Sequence, residues 1–287
     1  MLDKIIPKKL KLLFELIRFN KPIGFMLLMW PCWFSLALVE ENIYQVYYWY
    51  IYLCVGSFLM RSAGCIINDL VDINLDGKVE RTFKRPLASK KISIFESIVF
   101  LIILLVLAFL ILTRFNLNAI LFALFSIPLI IIYPFLKRYT YWPQLGLGIV
   151  FGWGVLIVSI QFVGKISFNS ILLYVACIFW TLAYDTIYAY QDRLDDINSN
   201  IKSTAVLFNN MGKAYVLIFY NIFFVIIGFL GFYSSKSFIS LIVIILLIIV
   251  MNIYLKKWQL NSKQSCNYYF NFNNVIGLFC FIFLFLF

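Results

Sequence analysis

Two acidic segments, each at the end of a long apolar run, carry the side chains best suited to chemistry. The first reads Asn68-Asp69-Leu-Val-Asp72-Ile-Asn-Leu-Asp76. If a helix continues through it, Asn68, Asp72 and Asp76 stand one turn apart on a single face. Carboxylate and amide oxygens of this kind are the ligands that Mg²⁺ prefers in proteins. The segment therefore predicts a site for a hard divalent cation.

The second segment repeats the pattern later in the chain. It reads Asp192-Arg-Leu-Asp195-Asp196, so Asp192 and Asp196 again stand at positions i and i+4, while Asp185 lies deeper in the preceding apolar run. The two apolar runs point the same way through a membrane, so the acidic faces are expected to meet at one depth. Carboxylates that converge near a membrane interface repel one another and need a cation between them.

Basic residues follow both acidic segments. Arg81 and Arg85 belong to Arg-Thr-Phe-Lys-Arg-Pro-Leu, and Lys202 belongs to Ile-Lys-Ser-Thr. Arginine binds phosphate oxygens in a bidentate manner and lysine binds them as a point charge. Acids and bases side by side therefore indicate a diphosphate bridged to the carboxylates by Mg²⁺.

Other interpretations of the acidic segments stay open. They could be solvated loop charges, as most charge runs are, or part of a cation-transport path. Transporters usually place such acids near the membrane midplane on broken helices, whereas these lie at the ends of the runs. Histidine is absent from the chain, which excludes zinc–histidine sites and nucleophile–histidine pairs.

The elements that position these segments are membrane spans. Of the 287 residues, 63% are apolar and 13% charged, and the mean hydropathy is +0.94, which excludes a water-soluble globule and a disordered chain. Runs near the length of a membrane span predict an all-α, polytopic protein with about nine transmembrane helices at 22–39, 44–66, 95–112, 117–135, 144–163, 168–188, 212–232, 237–255 and 268–287.

Residues 1–21 are predicted to form a cytoplasmic amphipathic segment, and residues 22–287 a single transmembrane domain. Leu10, Leu13, Phe14 and Ile17 recur at helical spacing among lysines, which is typical of a helix on an anionic lipid surface. The segment does not resemble a transit peptide, which favours a bacterial inner membrane over a mitochondrial one.

The basic residues predict the orientation. Of the 24 lysines and arginines, Arg61 falls within a span and only Arg114, Lys165 and Lys236 fall in the loops opposite the N-terminus. The positive-inside rule places the N-terminus and both acidic segments on the cytoplasmic side. The same rule accounts for the net charge of +11, so no nucleic-acid partner is expected, and no obligatory protein partner is implied.

Three segments together resemble the UbiA superfamily of intramembrane prenyltransferases: Asn68–Asp76, Arg81–Leu87 and Asp185–Ala205. Two more, Lys21–Gly24 with Trp30-Pro31 and Tyr133–Gln144, resemble the branch whose acceptor is 4-hydroxybenzoate. One departure is Asn20, where that branch usually has aspartate, but this position lies outside the acidic segments.

The resemblance implies a helical bundle around a central cavity that opens to the lipid bilayer. It also implies Mg²⁺-dependent transfer from polyprenyl diphosphate to 4-hydroxybenzoate in ubiquinone biosynthesis. The residues that the resemblance assigns to Mg²⁺ and the diphosphate are Asn68, Asp72, Asp76, Asp192 and Asp196, with Asp69 and Asp195 in support and with Arg81 and Lys202 as cations.

The carboxylate of the acceptor needs a cation of its own. Arg138 is the first candidate, followed by Arg61 and Arg18, although Arg61 could instead pair with a nearby aspartate. Asp185 and Tyr188 could lie near the acceptor or order the second acidic segment by hydrogen bonds. Dihydroxynaphthoate, homogentisate and haem remain alternative acceptors within the superfamily, and an ion-coupled transporter is the alternative outside it.

Overall fold

The computed structural model describes residues 7–39, 43–73 and 82–287. Asp76 and Arg81 lie outside these ranges, and their predicted roles stay predictions. Every regular element within the ranges is helical. The α-helices, α1 to α14 in chain order, are Lys8–Leu16, Ile23–Val39, Ile43–Val71, Ile94–Leu112, Leu117–Leu124, Ile127–Ile132, Leu136–Tyr139, Pro143–Val163, Phe168–Ala189, Arg193–Asn198, Thr204–Phe208, Gly212–Ser235, Phe238–Leu255 and Lys263–Leu286.

The helices match the apolar runs of the sequence. Within the described ranges, eight helical segments are long and apolar enough to cross a membrane, and α2 is a shorter apolar helix of 17 residues. A helix satisfies its own backbone donors and acceptors, which hydrocarbon cannot do. The prediction of an all-α, multi-pass membrane protein with about nine spans is confirmed.

The fourth apolar run is not one regular helix. α5 ends at Leu124 and α6 begins at Ile127, with Pro128 in its first turn and Pro134 in the short 3₁₀ helix that follows. Proline has no backbone N–H to donate, so both residues interrupt the helical hydrogen bonds. The Ser126 hydroxyl donates to the Ala123 carbonyl (2.7 Å) at the break.

The chain divides into two compact units. The first comprises Met1–Met26 and Ile51–Phe115, and the second comprises Leu27–Tyr50 and Asn116–Phe287. Each unit has its own packing, and each contains one of the two acidic segments.

The amphipathic helix α1 is part of the first unit's core. Leu16 and Ile17 are buried there, and they pack in one apolar cluster with Leu59, Ile66 and Leu104. Leu10, which the sequence groups with the apolar face, is instead exposed, while Leu12 and Leu13 pack against the cluster. An ion pair between Lys9 Nζ and Glu96 Oε1 (2.5 Å) also joins α1 to α4.

A buried polar group connects three helices of the second unit. Asn273 Oδ1 accepts hydrogen bonds from Trp180 Nε1 and from the Tyr220 hydroxyl, both at 2.8 Å. Trp180 also stacks on Phe223, with ring centroids 5.3 Å apart. The hydrogen bonds join α9, α12 and α14, and the polar atoms find partners that the lipid cannot supply.

Candidate functional site

The first acidic segment continues α3 as the spacing predicts. The Asp72 amide donates to the Asn68 carbonyl (2.9 Å), so the two residues stand one helical turn apart. Asp72 is buried and Asn68 is partly buried. The predicted face therefore extends as far as Asp72. Its continuation to Asp76 lies outside the described residues and stays a prediction.

Asp69, on a different face of α3, holds two arginines. Its Oδ1 atom accepts from Arg18 Nη2 (2.7 Å) and from Arg85 Nη1 (3.0 Å). Arg18 Nη1 also donates to Cys65 Sγ (3.2 Å). Asp69 is only 2% exposed, so the carboxylate lies in a protein interior where charge-assisted hydrogen bonds are strong.

Arg61 lies within the span Val46–Val71, where an isolated guanidinium is costly. Its guanidinium lies against the backbone of Gly24 at the start of α2. A Cβ atom added at Gly24 would come within 2.8 Å of Arg61 Nε and 3.3 Å of Nη2. The absence of a side chain at position 24 therefore makes room for this cation.

The second acidic segment is not a continuation of the preceding span. α9 ends at Ala189, and the short helix α10 begins at Arg193 with Asp192 as its N-cap residue. The Asp196 amide donates to the Asp192 carbonyl (2.8 Å), so the predicted one-turn spacing is present on this separate helix. Asp195 Oδ2 is buried without a hydrogen-bond partner among the described residues.

Two further predicted residues lie within the last turns of α9. Asp185 is partly buried at the predicted deeper level. The ring of Tyr188 packs on Phe270, with centroids 4.6 Å apart. This ring contact positions Tyr188 against α14.

The loop after α10 is fixed at several points. The Ser203 hydroxyl donates to Asp196 Oδ2 (3.2 Å) and accepts from the Val206 amide (3.4 Å) at the start of α11. The Thr204 amide donates to Gln144 Oε1 (3.1 Å). The hydroxyls of Thr186 and Thr204 are 2.7 Å apart and buried. Ser203 and Gln144 were not among the predicted site residues, although each belongs to a motif of the sequence: Ser203 to Ile-Lys-Ser-Thr and Gln144 to Tyr133–Gln144.

Lys202 and Arg138 both belong to this region of the second unit. The Lys202 amide donates to the Lys137 carbonyl (2.9 Å), and Lys202 Nζ donates to the Tyr139 carbonyl (3.1 Å). The Arg138 guanidinium lies 5.4 Å from the centre of the Phe135 ring. Lys202 and the Arg138 segment are therefore linked through the backbone of residues 137–139.

Tyr190 is a buried group that the sequence did not identify. Burial raises its pKa to about 12, and its hydroxyl donates to the Asn209 carbonyl (2.5 Å). A Cβ atom at Gly212 would overlap the Tyr190 hydroxyl. This hydrogen bond ties the end of α9, just before the second acidic segment, to the backbone that follows α11.

The donor types suit Mg²⁺, since the segments offer carboxylate and amide oxygens, and the buried Asp195 Oδ2 has no hydrogen-bond partner within the described part of the chain. Among residues 7–39, 43–73 and 82–287, no three aspartate, glutamate or cysteine side chains are grouped closely enough to hold a metal ion.

Comparison with known proteins shows that the sequence matches one protein family. Residues 28–285 match the model of the UbiA prenyltransferase family. The chain is 35% identical to "4-hydroxybenzoate octaprenyltransferase" of Pseudoalteromonas translucida (strain TAC 125), over 98% of this chain and 96% of that protein. It is 38% identical to the protein of the same name from Blochmanniella pennsylvanica (strain BPEN), over 96% and 95%.

The structural comparison gives the same fold. A UbiA homologue from Aeropyrum pernix K1 in the apo state superposes with a TM-score of 0.72 at 22% identity, over 91% of this chain and 97% of that chain. A UbiA homologue from Archaeoglobus fulgidus, described as bound to GPP and Mg²⁺, superposes with a TM-score of 0.66 at 14% identity, over 96% and 99%.

Proposed function

Because the chain belongs to the UbiA prenyltransferase family, we propose that it transfers a polyprenyl group from polyprenyl diphosphate to 4-hydroxybenzoate. The observation that carries the choice of acceptor is the similarity, over nearly the whole chain, to relatives named for that acceptor. The C1–O bond of the prenyl diphosphate breaks, and C1 joins the ring carbon ortho to the hydroxyl. The ring then loses a proton and diphosphate is released.

The acidic segments serve the diphosphate end of this substrate. Asn68, Asp72, Asp76, Asp192 and Asp196 would hold Mg²⁺, and the bound ion would neutralise charge on the leaving diphosphate. Supporting this proposal are the oxygen-donor side chains and the A. fulgidus homologue described with GPP and Mg²⁺. Mg²⁺ usually binds through one or two carboxylates together with substrate phosphates.

Cationic side chains complete the neutralisation of the diphosphate. Arg81 and Lys202 are the proposed contacts, with Arg85 beside them. Lys202 is held by the Tyr139 carbonyl, which supports a fixed position for its ammonium group. Positive charges fixed before the reaction stabilise the charge that develops as the C1–O bond breaks.

The acceptor end needs a cation for the benzoate carboxylate and a dry environment for the allylic cation. Arg138, Arg61 and Arg18 remain the proposed carboxylate ligands. Asp185 and Tyr188 are proposed to lie near the acceptor. Aromatic side chains and the exclusion of water would keep the allylic cation from being captured by water.

The product is an intermediate of ubiquinone biosynthesis, which fits an enzyme that takes a long-chain lipid substrate directly from the bilayer. The proposed location is a bacterial inner membrane, with the N-terminus and both acidic segments facing the cytoplasm. The distribution of lysines and arginines supports this orientation.

A comparison of acceptors tests the proposal. Purified protein in lipid vesicles would receive a polyprenyl diphosphate, Mg²⁺ and one acceptor at a time: 4-hydroxybenzoate, dihydroxynaphthoate or homogentisate. We expect diphosphate release that depends on 4-hydroxybenzoate. Diphosphate release that occurs only with one of the other acceptors would overturn the choice of 4-hydroxybenzoate. If folded protein releases no diphosphate with any of the three acceptors, the result would favour the ion-coupled transporter.

A further inference from the structure

Asn209, in the second unit, accepts hydrogen bonds from residues on either side of Asp192. The Tyr190 hydroxyl, just after α9, donates to the Asn209 carbonyl (2.5 Å). Arg193 Nη2, at the start of α10, donates to Asn209 Oδ1. Asn209 itself begins the short 3₁₀ helix between α11 and α12. One residue therefore anchors the chain before and after a predicted metal ligand.

The backbone of Asn209 has a conformation that favours glycine. Its φ is +49° and its ψ is −121°, close to the angles of the first central position of a type II′ turn. Glycine adopts these angles without strain, whereas a residue with a Cβ atom does not. They also differ from the left-handed helical angles that asparagine tolerates. The asparagine therefore strains the backbone, and what its side chain adds is the amide oxygen that Arg193 binds.

The Tyr190 end of this arrangement is packed into the second unit. Tyr190 is 5% exposed, and its ring lies edge-on to that of Trp258, with centroids 5.4 Å apart. Trp258 is buried as well, and its Nε1 atom donates to Cys266 Sγ (3.3 Å) in α14. The Asn209 carbonyl is therefore tied to a well-packed part of the protein.

The short helix α10 depends on contacts with other elements for its orientation. It has six residues, too few for a helix that is stable on its own. Its N-cap residue and first turn carry three carboxylates, which repel one another. The Ser203 hydroxyl donates to Asp196 Oδ2 (3.2 Å), and the bond between Arg193 and Asn209 is a second attachment. Two attachments at different residues restrain both the position and the rotation of the helix.

We propose that Arg193 and Asn209 are positioning residues: their side-chain bond holds α10 in the orientation in which its carboxylates bind Mg²⁺ together with the diphosphate. This inference rests on the proposed function. Both residues act through the aspartates of α10 and not on the substrate itself. The loss of groups that orient metal ligands typically lowers metal affinity by about 10-fold to 100-fold.

Replacing Asn209 by glycine separates positioning from stability. Asn209→Gly keeps the carbonyl that accepts from Tyr190 and relieves the backbone strain, but it removes the amide oxygen that Arg193 binds. We expect the half-saturating Mg²⁺ concentration for prenyl transfer to rise about tenfold. The KM for 4-hydroxybenzoate is expected to stay the same, and the unfolding temperature is expected not to fall.

Asn210→Gly is the matched control, because it introduces a glycine at an exposed position of the same 3₁₀ helix. We expect it to leave the Mg²⁺ requirement unchanged. Equal Mg²⁺ titrations of Asn209→Gly and Asn210→Gly would overturn the proposal. A lower unfolding temperature of Asn209→Gly with an unchanged Mg²⁺ requirement would show that Asn209 is a purely structural residue and would overturn it as well.

Arg193 and Asn209 can also be tested as a pair. Arg193→Met removes the donor and keeps a long side chain. Loss of a positive charge beside the acidic segment would by itself favour Mg²⁺, so the higher Mg²⁺ requirement that we expect indicates lost positioning. If the two residues act through their mutual bond, the double variant needs no more Mg²⁺ than the more affected single variant. Effects that multiply in the double variant would overturn the proposal.

Binding of inorganic pyrophosphate provides a measurement without turnover. In the presence of pyrophosphate, added Mg²⁺ is expected to raise the unfolding temperature of the wild type, and Asn209→Gly is expected to need about tenfold more Mg²⁺ for the same rise. Because no acceptor is present, this result does not depend on the choice of 4-hydroxybenzoate. Equal Mg²⁺ dependence in both proteins would overturn the proposal alone, whereas no rise in the wild type would overturn the metal site of the proposed function with it.

Discussion

At the scale of single residues, the proposed chemistry depends most on Asp72 and Asp192. Replacing either by alanine is expected to lower prenyl transfer by more than about a hundredfold, because an oxygen ligand for the metal is lost. Product formation in membranes measures the effect, and size-exclusion chromatography checks that the variant is folded. Glu15→Ala, at an exposed position of α1, serves as the control. Normal transfer by Asp72→Ala or Asp192→Ala at saturating Mg²⁺ would contradict the metal assignment.

Gly24 provides a second prediction at this scale. A Cβ atom at position 24 would displace the Arg61 guanidinium, which is the flexible end of a long side chain, so the fold is expected to survive. If Arg61 binds the benzoate carboxylate, Gly24→Ala raises the KM for 4-hydroxybenzoate by about tenfold and leaves that for prenyl diphosphate unchanged.

Gly64→Ala is the matched control, because a Cβ atom there meets no atom within 4 Å and the position lies one turn from Arg61 on the same helix. Equal KM values for 4-hydroxybenzoate in the two variants would exclude Arg61 as the ligand of the benzoate carboxylate and would leave Arg138 as the first candidate.

The one-turn spacing within each acidic segment could be predicted from the sequence because it depends on local helical geometry. The i, i+4 relation of Asn68 and Asp72 follows from helical geometry alone. The bond between Arg18 and Asp69 could not be predicted in the same way, since these residues are 51 positions apart. Only the packing of α1 against the first unit brings them together.

At the scale of the helices, the loop between α10 and α11 holds the second acidic segment in place through the hydrogen bond from Ser203 to Asp196. Ser203→Ala removes the donor to Asp196 and the N-cap acceptor of α11, so we expect a loss of about 1 kcal/mol in stability. We also expect an about tenfold higher Mg²⁺ requirement, because the loss of a group that orients a metal ligand typically lowers metal affinity by at least that factor. Ser203→Thr keeps the hydroxyl and is the control. Identical Mg²⁺ titrations of the alanine and threonine variants would contradict this role.

The end of α9 agrees with the predicted span at 168–188. The spacing of Asp192 and Asp196 does not indicate that a separate short helix carries them. In the structure, the helix stops at Ala189 and a separate helix starts at Arg193. The loop that follows α10 is held by Gln144, which is 60 residues away in sequence, so the contact that fixes this region has no local signal.

At the scale of the whole molecule, an all-helical protein with multiple membrane spans follows from the apolar runs, and the described residues contain eight helical segments long and apolar enough to cross a membrane. The apolar runs do not indicate which polar contacts form between helices, and these contacts help to determine which helices pack together. Asn273 is one residue among many asparagines in the sequence, yet it accepts from both Trp180 and Tyr220. The nearby Asn221 and Asn252 side chains also bond one another (2.9 Å).

Asn273→Leu is therefore expected to destabilise the second unit by on the order of 1–3 kcal/mol, since two buried donors lose their acceptor. Unfolding in a detergent titration measures the change. Asn271→Leu, at an exposed position two residues earlier, is the control and is expected to have little effect. Equal stability of the two variants would show that the buried amide is not needed to hold α9, α12 and α14 together.

We propose that this membrane protein prenylates 4-hydroxybenzoate in a reaction that requires Mg²⁺. The most direct measurement is an assay in lipid vesicles with radiolabelled polyprenyl diphosphate and 4-hydroxybenzoate, with and without excess EDTA, and with the product identified by mass spectrometry. The predicted result is a ring-prenylated hydroxybenzoate that forms with free Mg²⁺ and is lost with EDTA. Undiminished product in EDTA, or no product from folded protein with Mg²⁺, would contradict the claim.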